Sequence, residues 1–172
     1  MKTNHFLPHS DVLESVHLRR KFMQLIKNKA VTQDDWTFVA DDEALTSDYN
    51  IVSLTRWKKE RDLLVEQSGH LGLRLESDVI IEDIADDLAK FQLLELFFPV
   101  FTDGRAFTHA RLLRSRFGFT GDIRVSGDFM RDQVFYLNRV GVSSFVLNDQ
   151  DNAQQVIQSM DDFSVDYQQS VA

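Results

Sequence analysis

Three arginines in this 172-residue sequence stand where they could bind an anion together. Arg56, Arg105 and Arg131 each lie in the first turn of a predicted helix, and each helix follows a predicted strand. The carboxyl ends of parallel strands meet at one edge of a sheet, where helix N-termini attract anions. These arginines therefore predict a site for phosphate, sulfite or a carboxylate. The alternative is that each arginine pairs with a nearby aspartate.

Two carboxylates at the same predicted edge, Asp103 and Asp128, are the catalytic candidates. Both also suit helix caps, because a carboxylate accepts hydrogen bonds from the free N–H groups of a first turn. The carboxylate oxygens of Asp103, Asp128 and Asp132 could instead hold a divalent metal ion. This alternative is the weaker one, and we predict no metal site. Other candidate residues of this edge are Gly104, Gly127, Asp132, Gln133 and His109.

Several kinds of enzyme are excluded by what the sequence lacks. It has no cysteine, so no thiol catalysis and no thiolate-held iron–sulfur or zinc centre can form within it. It contains no G-x-G-x-x-G, no phosphate loop and no G-x-S-x-G elbow. The catalytic residues and any cofactor are therefore left unassigned, and whether the protein is an enzyme stays open.

The charge is acidic overall but unevenly distributed. The net charge is −8, which disfavours nucleic acid and anionic membrane surfaces as partners. Residues 103–124 nevertheless carry five arginines against two aspartates. We see neither a signal peptide nor a membrane-spanning segment, and we expect the protein to be cytoplasmic.

The elements that would position these residues alternate from residue 51 onward. Apolar runs that predict strands are followed by capped, helix-periodic segments, as in a mainly parallel α/β sheet. The strands are 51–54, 72–75, 93–98, 123–125 and 144–147, and the helices are 56–67, 79–90, 104–117, 129–140 and a last one ending near residue 160. Gly118 and Gly141 suit the ends of the third and fourth helices. Five units predict an open sheet, with a partial β/α barrel as the alternative.

The segments before and after these units differ from them. Residues 25–31 and 36–39 predict two short strands in a meander or hairpin that lids or edges the sheet. We expect residues 1–22 to form a loosely held N-terminal extension, residues 23–162 a single α/β domain, and residues 163–172 a polar tail.

Part of the sequence resembles a known bacterial family. The resemblance is carried by 98–107 (FPVFTDGRAF), 110–114 (ARLLR), 117–121 (FGFTG), Gly127-Asp128, 131–133 (RDQ), Leu137 and 139–141 (RVG), and it extends upstream to Asp35-Trp36. The resemblance covers roughly residues 23–150. Over these residues the sequence is similar to the bacterial family called domain of unknown function 934. This family is usually described as an oxidoreductase of sulfite reduction, because its genes neighbour those of assimilatory sulfate and sulfite reduction.

The resemblance implies two hypotheses about function. The first is an accessory or partner protein of sulfite reductase or of other sulfate-assimilation enzymes. The second is an oxidoreductase or electron-transfer component that binds a sulfur oxyanion through Arg105, Arg131 and Asp103. The missing cysteine and cofactor motifs favour the first mechanism, and the family implies sulfur assimilation as the process.

Overall fold

A computed structural model describes residues 24–46, 48–67, 69–148 and 152–160 of the chain. The strands are β1 (Gln24–Lys27), β2 (Ala30–Thr32), β3 (Thr37–Phe38), β4 (Tyr49–Ser53), β5 (His70–Leu75), β6 (Leu93–Phe98), β7 (Asp122–Gly127) and β8 (Ser144–Leu147). The helices are α1 (Leu54–Gln67), a 3₁₀ helix (Ile81–Lys90), α2 (Arg105–Ser115), α3 (Arg131–Arg139) and α4 (Ala153–Ser159). None of these helices is long and apolar enough to cross a membrane. The expectations for residues 1–22 and 163–172 concern segments outside the described residues.

The strands form one sheet in the order β2-β1-β8-β7-β6-β5-β4-β3. Strands β3 to β8 are parallel to one another and lie side by side in chain order. The N-terminal hairpin adds β1 antiparallel to β8 and β2 antiparallel to β1. The predicted α/β class and mainly parallel sheet are confirmed. Because the order of the described strands never reverses, they form no switch point of the kind at which doubly wound folds bind ligands.

The two faces of the sheet are occupied differently. Leu73, Leu94 and Val125 point toward the helices and share a core with Ala110 and Leu113 of α2. Side chains alternate across a strand, so the residues between these apolar positions point to the opposite side. We call that side the inner face.

Residues 33–36, which we call the strap, connect β2 and β3 although these strands are at opposite edges of the sheet. In a flat eight-stranded sheet the two edges would lie about 33 Å apart, since neighbouring strands are about 4.8 Å apart. The five Cα steps from Thr32 to Thr37 span about 18 Å at most. The sheet therefore curls into a half-barrel, and the strap crosses its opening. The observed form is thus an open sheet with the curvature of a partial barrel.

The N-terminal strands are arranged differently from the predicted meander. The hairpin β1–β2 is present, but residues 37–38 pair in parallel with β4 at the far edge. The sequence pattern indicated a strand at 36–39, and nothing local in it specified which strand would be the partner. The prediction that this region lies at an edge of the sheet is confirmed, since the hairpin is at one edge and β3 is at the other.

The second predicted helix, over residues 79–90, is a 3₁₀ helix rather than an α-helix. Three of its four buried residues, Ile81, Ile84 and Asp87, recur every three positions, and the fourth is Leu88. Side chains three apart are aligned along a 3₁₀ helix, so this spacing places all three on the side that packs against the core.

Three glycines have positive φ angles, which side chains disfavour. Gly118 and Gly141 follow helices α2 and α3, as predicted. Gly127, with φ of 94°, is the last residue of β7. It has no room for a side chain, because a Cβ there would lie 2.2 Å from the carbonyl oxygen of Phe98. A Cβ on Gly118 would meet no atom within 4 Å. At Gly127, by contrast, two strand ends approach too closely for a side chain.

We expect Gly127→Ala to lower the free energy of unfolding by about 3 kcal/mol or more, since it adds a clash to backbone strain. The matched variant Gly118→Ala should cost only about 1 kcal/mol, the strain alone. Chemical denaturation followed by circular dichroism measures both. Equal losses would contradict the close approach of β6 and β7.

Candidate functional site

At the edge formed by the carboxyl ends of the strands, which we call the rim, Asp103 and Arg105 are paired with each other. Asp103 Oδ1 accepts hydrogen bonds from the backbone N–H of Arg105 at 3.1 Å and from its Nε at 2.9 Å. The Nη2 of Arg105 donates to Asp103 Oδ2 at 2.7 Å. Hydrogen bonds from Arg105, and next from Ser77, hold the pKa of Asp103 well below its usual range. Asp103 is thus an ionised helix cap whose charge Arg105 already balances.

The other two predicted anion-binding arginines diverge from Arg105. Arg56 is buried, and it donates to the carbonyl of Ala40 at 2.8 Å and to Glu60 at 3.1 Å. Arg131 reaches Gln155 on α4 at 3.4 Å. Ala40 follows β3 and α4 follows β8, so these side chains point toward different parts of the sheet. The structure does not bring the three arginines together.

Gln133 links two neighbouring turns of the rim. Its Nε2 donates to the carbonyl of Phe101 at 2.9 Å, while its Oε1 accepts from the backbone N–H of Met130 at 2.9 Å. Gln133, rather than the predicted Asp128, therefore binds a free N–H group at the start of α3. Asp132 is exposed.

His109 lies one turn after Arg105, on the buried side of α2. Burial, and then repulsion by Arg105, lowers the pKa of its imidazole, which favours the neutral form. Gly104 lies in the open turn before α2. Within the described ranges, no three side chains are grouped so that they could hold a metal ion.

A second set of polar residues, which sequence reasoning did not select, crosses the inner face. Strand register aligns one residue from each of six neighbouring strands in a single row. The row is Ser53, Arg74, Glu95, Arg124, Ser144 and Lys27. Three successive strands thus carry a charged side chain at the middle of the sheet.

The central charges of this row form an ion-pair network. Glu95 Oε1 accepts from Arg74 Nε at 2.6 Å, and Glu95 Oε2 lies 4.0 Å from Nη1 of Arg124. The two terminal nitrogens of Arg124 donate to the carboxylate of Asp34, on the strap, at 3.0 and 2.8 Å. The side chains of Glu95 and Arg124 are only 4% and 2% exposed. A buried pair of this kind is costly to break, because it leaves an uncompensated charge.

Aromatic rings hold Arg74 in place. Its guanidinium carbon lies 3.6 Å from the ring centre of Phe38 and 5.1 Å from that of Phe97. Both contacts are within the range of cation–π attraction. Arg74 therefore remains beside Glu95 as a fixed cation.

This group of charged residues, which we call the inner network, lines a cavity of about 180 Å³ between the strap and the sheet. We call this cavity the inner cavity. Its walls include Asp34, Trp36, Arg74, Glu95, Arg124 and Ser126. Two of these lining residues have a buried polar atom, Nε of Arg124 and Oγ of Ser126, without a hydrogen-bond partner among the described residues. A water molecule takes up about 30 Å³ in the liquid, so the cavity has room for several waters or one small ligand.

A signal for this site was present in the sequence. Arg74, Glu95 and Arg124 each interrupt an apolar strand, as in Leu94-Glu95-Leu96. A charge inside a buried strand is expensive unless it is paired, so three of them in consecutive strands indicate a network. The contribution of Asp34 had no such signal, because it depends on how the strap crosses the sheet.

The chain matches one family model, described as bacterial protein of unknown function (DUF934), over residues 72–172. The chain belongs to the DUF934 family. The resemblance was predicted for residues 23–150, and it is confirmed for the part from residue 72 onward. The matched residues include Arg74, Glu95, Arg124 and Ser126, which line the cavity. The strap and its Asp34 lie outside the matched residues. No curated protein matches the chain, and no solved structure matches it.

We expect Glu95→Gln to destabilise this DUF934 chain by about 3 kcal/mol or more, because Arg74 and Arg124 lose a buried counter-charge. The control, Glu82→Gln, removes the same charge from an exposed pair with Arg116 and should cost about 1 kcal/mol or less. Urea denaturation of both variants measures the difference. Similar small losses would show that the inner network is weakly coupled.

Proposed function

We propose that this DUF934 chain binds a small oxyanion in the inner cavity and acts as a cytoplasmic accessory protein of sulfite reductase in assimilatory sulfate and sulfite reduction. The single observation that supports anion binding is a pair of buried donors without partners among the described residues, Arg124 Nε and Ser126 Oγ, which belong to two residues that line the cavity. A buried donor without an acceptor costs about 1–3 kcal/mol, so an acceptor in the cavity is favoured.

The charge of the guanidinium supports an anion as that acceptor. A guanidinium is always positively charged, and its hydrogen bonds to an ionised acceptor are stronger than those to a neutral one. Asp34 occupies the two terminal nitrogens of Arg124, which leaves Nε as the donor for a ligand. Ser126 lies two residues further along β7, on the same face, so its hydroxyl can bind the same ligand.

Sulfite or sulfate is the proposed ligand because of the family resemblance. Both are small, their oxygens accept hydrogen bonds, and both belong to the process that the resemblance implies. The alternative is an oxidoreductase or electron-transfer component that binds the same oxyanion. The accessory role is preferred because the chain has no cysteine that could hold an iron–sulfur cluster.

We expect the wild-type protein to bind sulfite or sulfate in isothermal titration calorimetry and Ser126→Ala to bind about tenfold more weakly, since one hydrogen bond to a charged ligand is lost. Ser115→Ala is the matched control, because Ser115 is exposed on α2 and bonds within its own helix. Ser126→Ala should keep full thermal stability, since it removes a hydroxyl without a partner among the described residues. Absence of binding at millimolar anion, or equal affinity in Ser126→Ala, would contradict the site.

An exposed apolar patch on the rim supports the accessory role. Ile80, Val100, Phe101 and Met130 lie on the turns after β5, β6 and β7, and each is at least 46% exposed. Neighbouring exposed apolar side chains are typical of protein–protein contact surfaces. The bond between Gln133 and the Phe101 carbonyl holds two of these turns together. We assign this patch to sulfite reductase as the partner.

The tagged protein should recover sulfite reductase from sulfate-grown cells of its own bacterium. Replacing Phe101 and Met130 together by serine should reduce the recovery severalfold, because two central apolar contacts are lost. Leu63→Ser, at an equally exposed apolar position on α1, should recover the enzyme as the wild type does. Failure of the wild type to recover sulfite reductase would overturn the proposed partner.

A further inference from the structure

We infer that an incoming anion takes the place of Asp34 on Arg124, so that Asp34 sets the affinity of the cavity and its release loosens the strap. This inference rests on the proposed anion-binding function. It concerns how the site is filled, and it can fail while that function stands.

The charges around the cavity are balanced before any ligand arrives. Arg74 and Arg124 supply two positive charges, and Glu95 and Asp34 supply two negative charges. A further anion in this buried place would leave a net negative charge, which a low-dielectric interior penalises. One of the two carboxylates must therefore leave for the anion to bind well.

Of the two carboxylates, Asp34 is the one that can leave. Glu95 is in the middle of β6, paired to strands on both sides, and it is held by two nitrogens of Arg74. Asp34 belongs to the strap, which has no strand pairing, and its side chain is 24% exposed. Water can solvate Asp34 as it leaves, whereas Glu95 would stay buried and unpaired.

Release of Asp34 would change the surroundings of Trp36. Asp34 Oδ1 also accepts from the backbone N–H of Trp36 at 3.1 Å, so the two residues share one turn. The ring of Trp36 packs against Gly72 on the inner face, 3.2 Å from where a Cβ would be. It also meets Tyr49 edge-on, with ring centres 5.2 Å apart. Movement of the strap therefore changes the surroundings of a fluorescent side chain.

The test compares Asp34→Asn with Asp35→Asn. The side-chain amide oxygen of Asp34→Asn can still accept from the Trp36 N–H, so the turn is kept and only the competing charge is lost. Asp35 is its exposed neighbour on the same strap, and its substitution removes the same charge from the chain. In titration calorimetry with sulfate and with sulfite, Asp34→Asn should bind about tenfold more tightly than Asp35→Asn, because a charge-assisted competitor is gone. Circular dichroism confirms that both variants are folded.

Fluorescence of the wild-type protein gives a second readout that needs no change at Asp34. Acrylamide should quench tryptophan more strongly with saturating sulfate than without it, and this increase should vanish in Trp36→Phe. The remaining tryptophan, Trp57, lies in the core on the other face of the sheet and serves as the internal reference.

The outcomes separate the inference from the function on which it rests. Tighter binding by Asp34→Asn, or binding by this variant alone, supports the exchange. If the wild type binds sulfate and Asp34→Asn matches Asp35→Asn with no change at Trp36, the exchange is wrong and the anion site stands. If neither the wild type nor any variant binds, the proposed function itself fails.

Discussion

The shortness of the strap is the constraint on which the rest of this structure depends. Four residues join strands at opposite edges of an eight-stranded sheet, and they can do so only if the sheet curls. The curl gives the sheet an outer face, which the helices cover, and an inner face, which the strap closes. The inner cavity exists because these two surfaces face each other across a short distance. The strap also brings Asp34, from early in the chain, onto Arg124 of β7.

The inner network is an unusual use of the middle of a sheet. Parallel strands covered on both faces are normally apolar throughout, and here three of them carry buried charges. Replacing such ion pairs by apolar residues is often neutral or stabilising. The presence of the network is therefore weak evidence that it serves to stabilise the fold. Arg124 and Ser126, which line the cavity, each keep a buried polar atom without a partner among the described residues. Buried charges around a cavity are consistent with the anion site that we propose.

Much of the fold could be predicted from the sequence, because its signals are local. Apolar runs followed by capped periodic segments indicated the strand–helix units, and Gly118 and Gly141 indicated two helix ends. The site was predicted at the rim, where Asp103 and Arg105 satisfy each other. Arg74 and Arg124 were visible inside strands, but their meeting depends on strand order and register. Those are set by packing between distant segments, which a local pattern does not contain.

The pairing of β1 with β8 has a consequence for how the molecule folds. Strand β1 can form its hairpin with β2 early, but it cannot join the sheet until β8 has been synthesised, since Leu25 lies opposite Val146. The ion pair between Asp34 and Arg124 spans 90 residues of sequence. Contacts of such separation raise the contact order and slow folding, because a long loop must close before they form. The hairpin β1–β2 therefore leaves the ribosome before β8 does and joins the sheet late, and the cavity is completed only when the two ends of the sheet meet the strap.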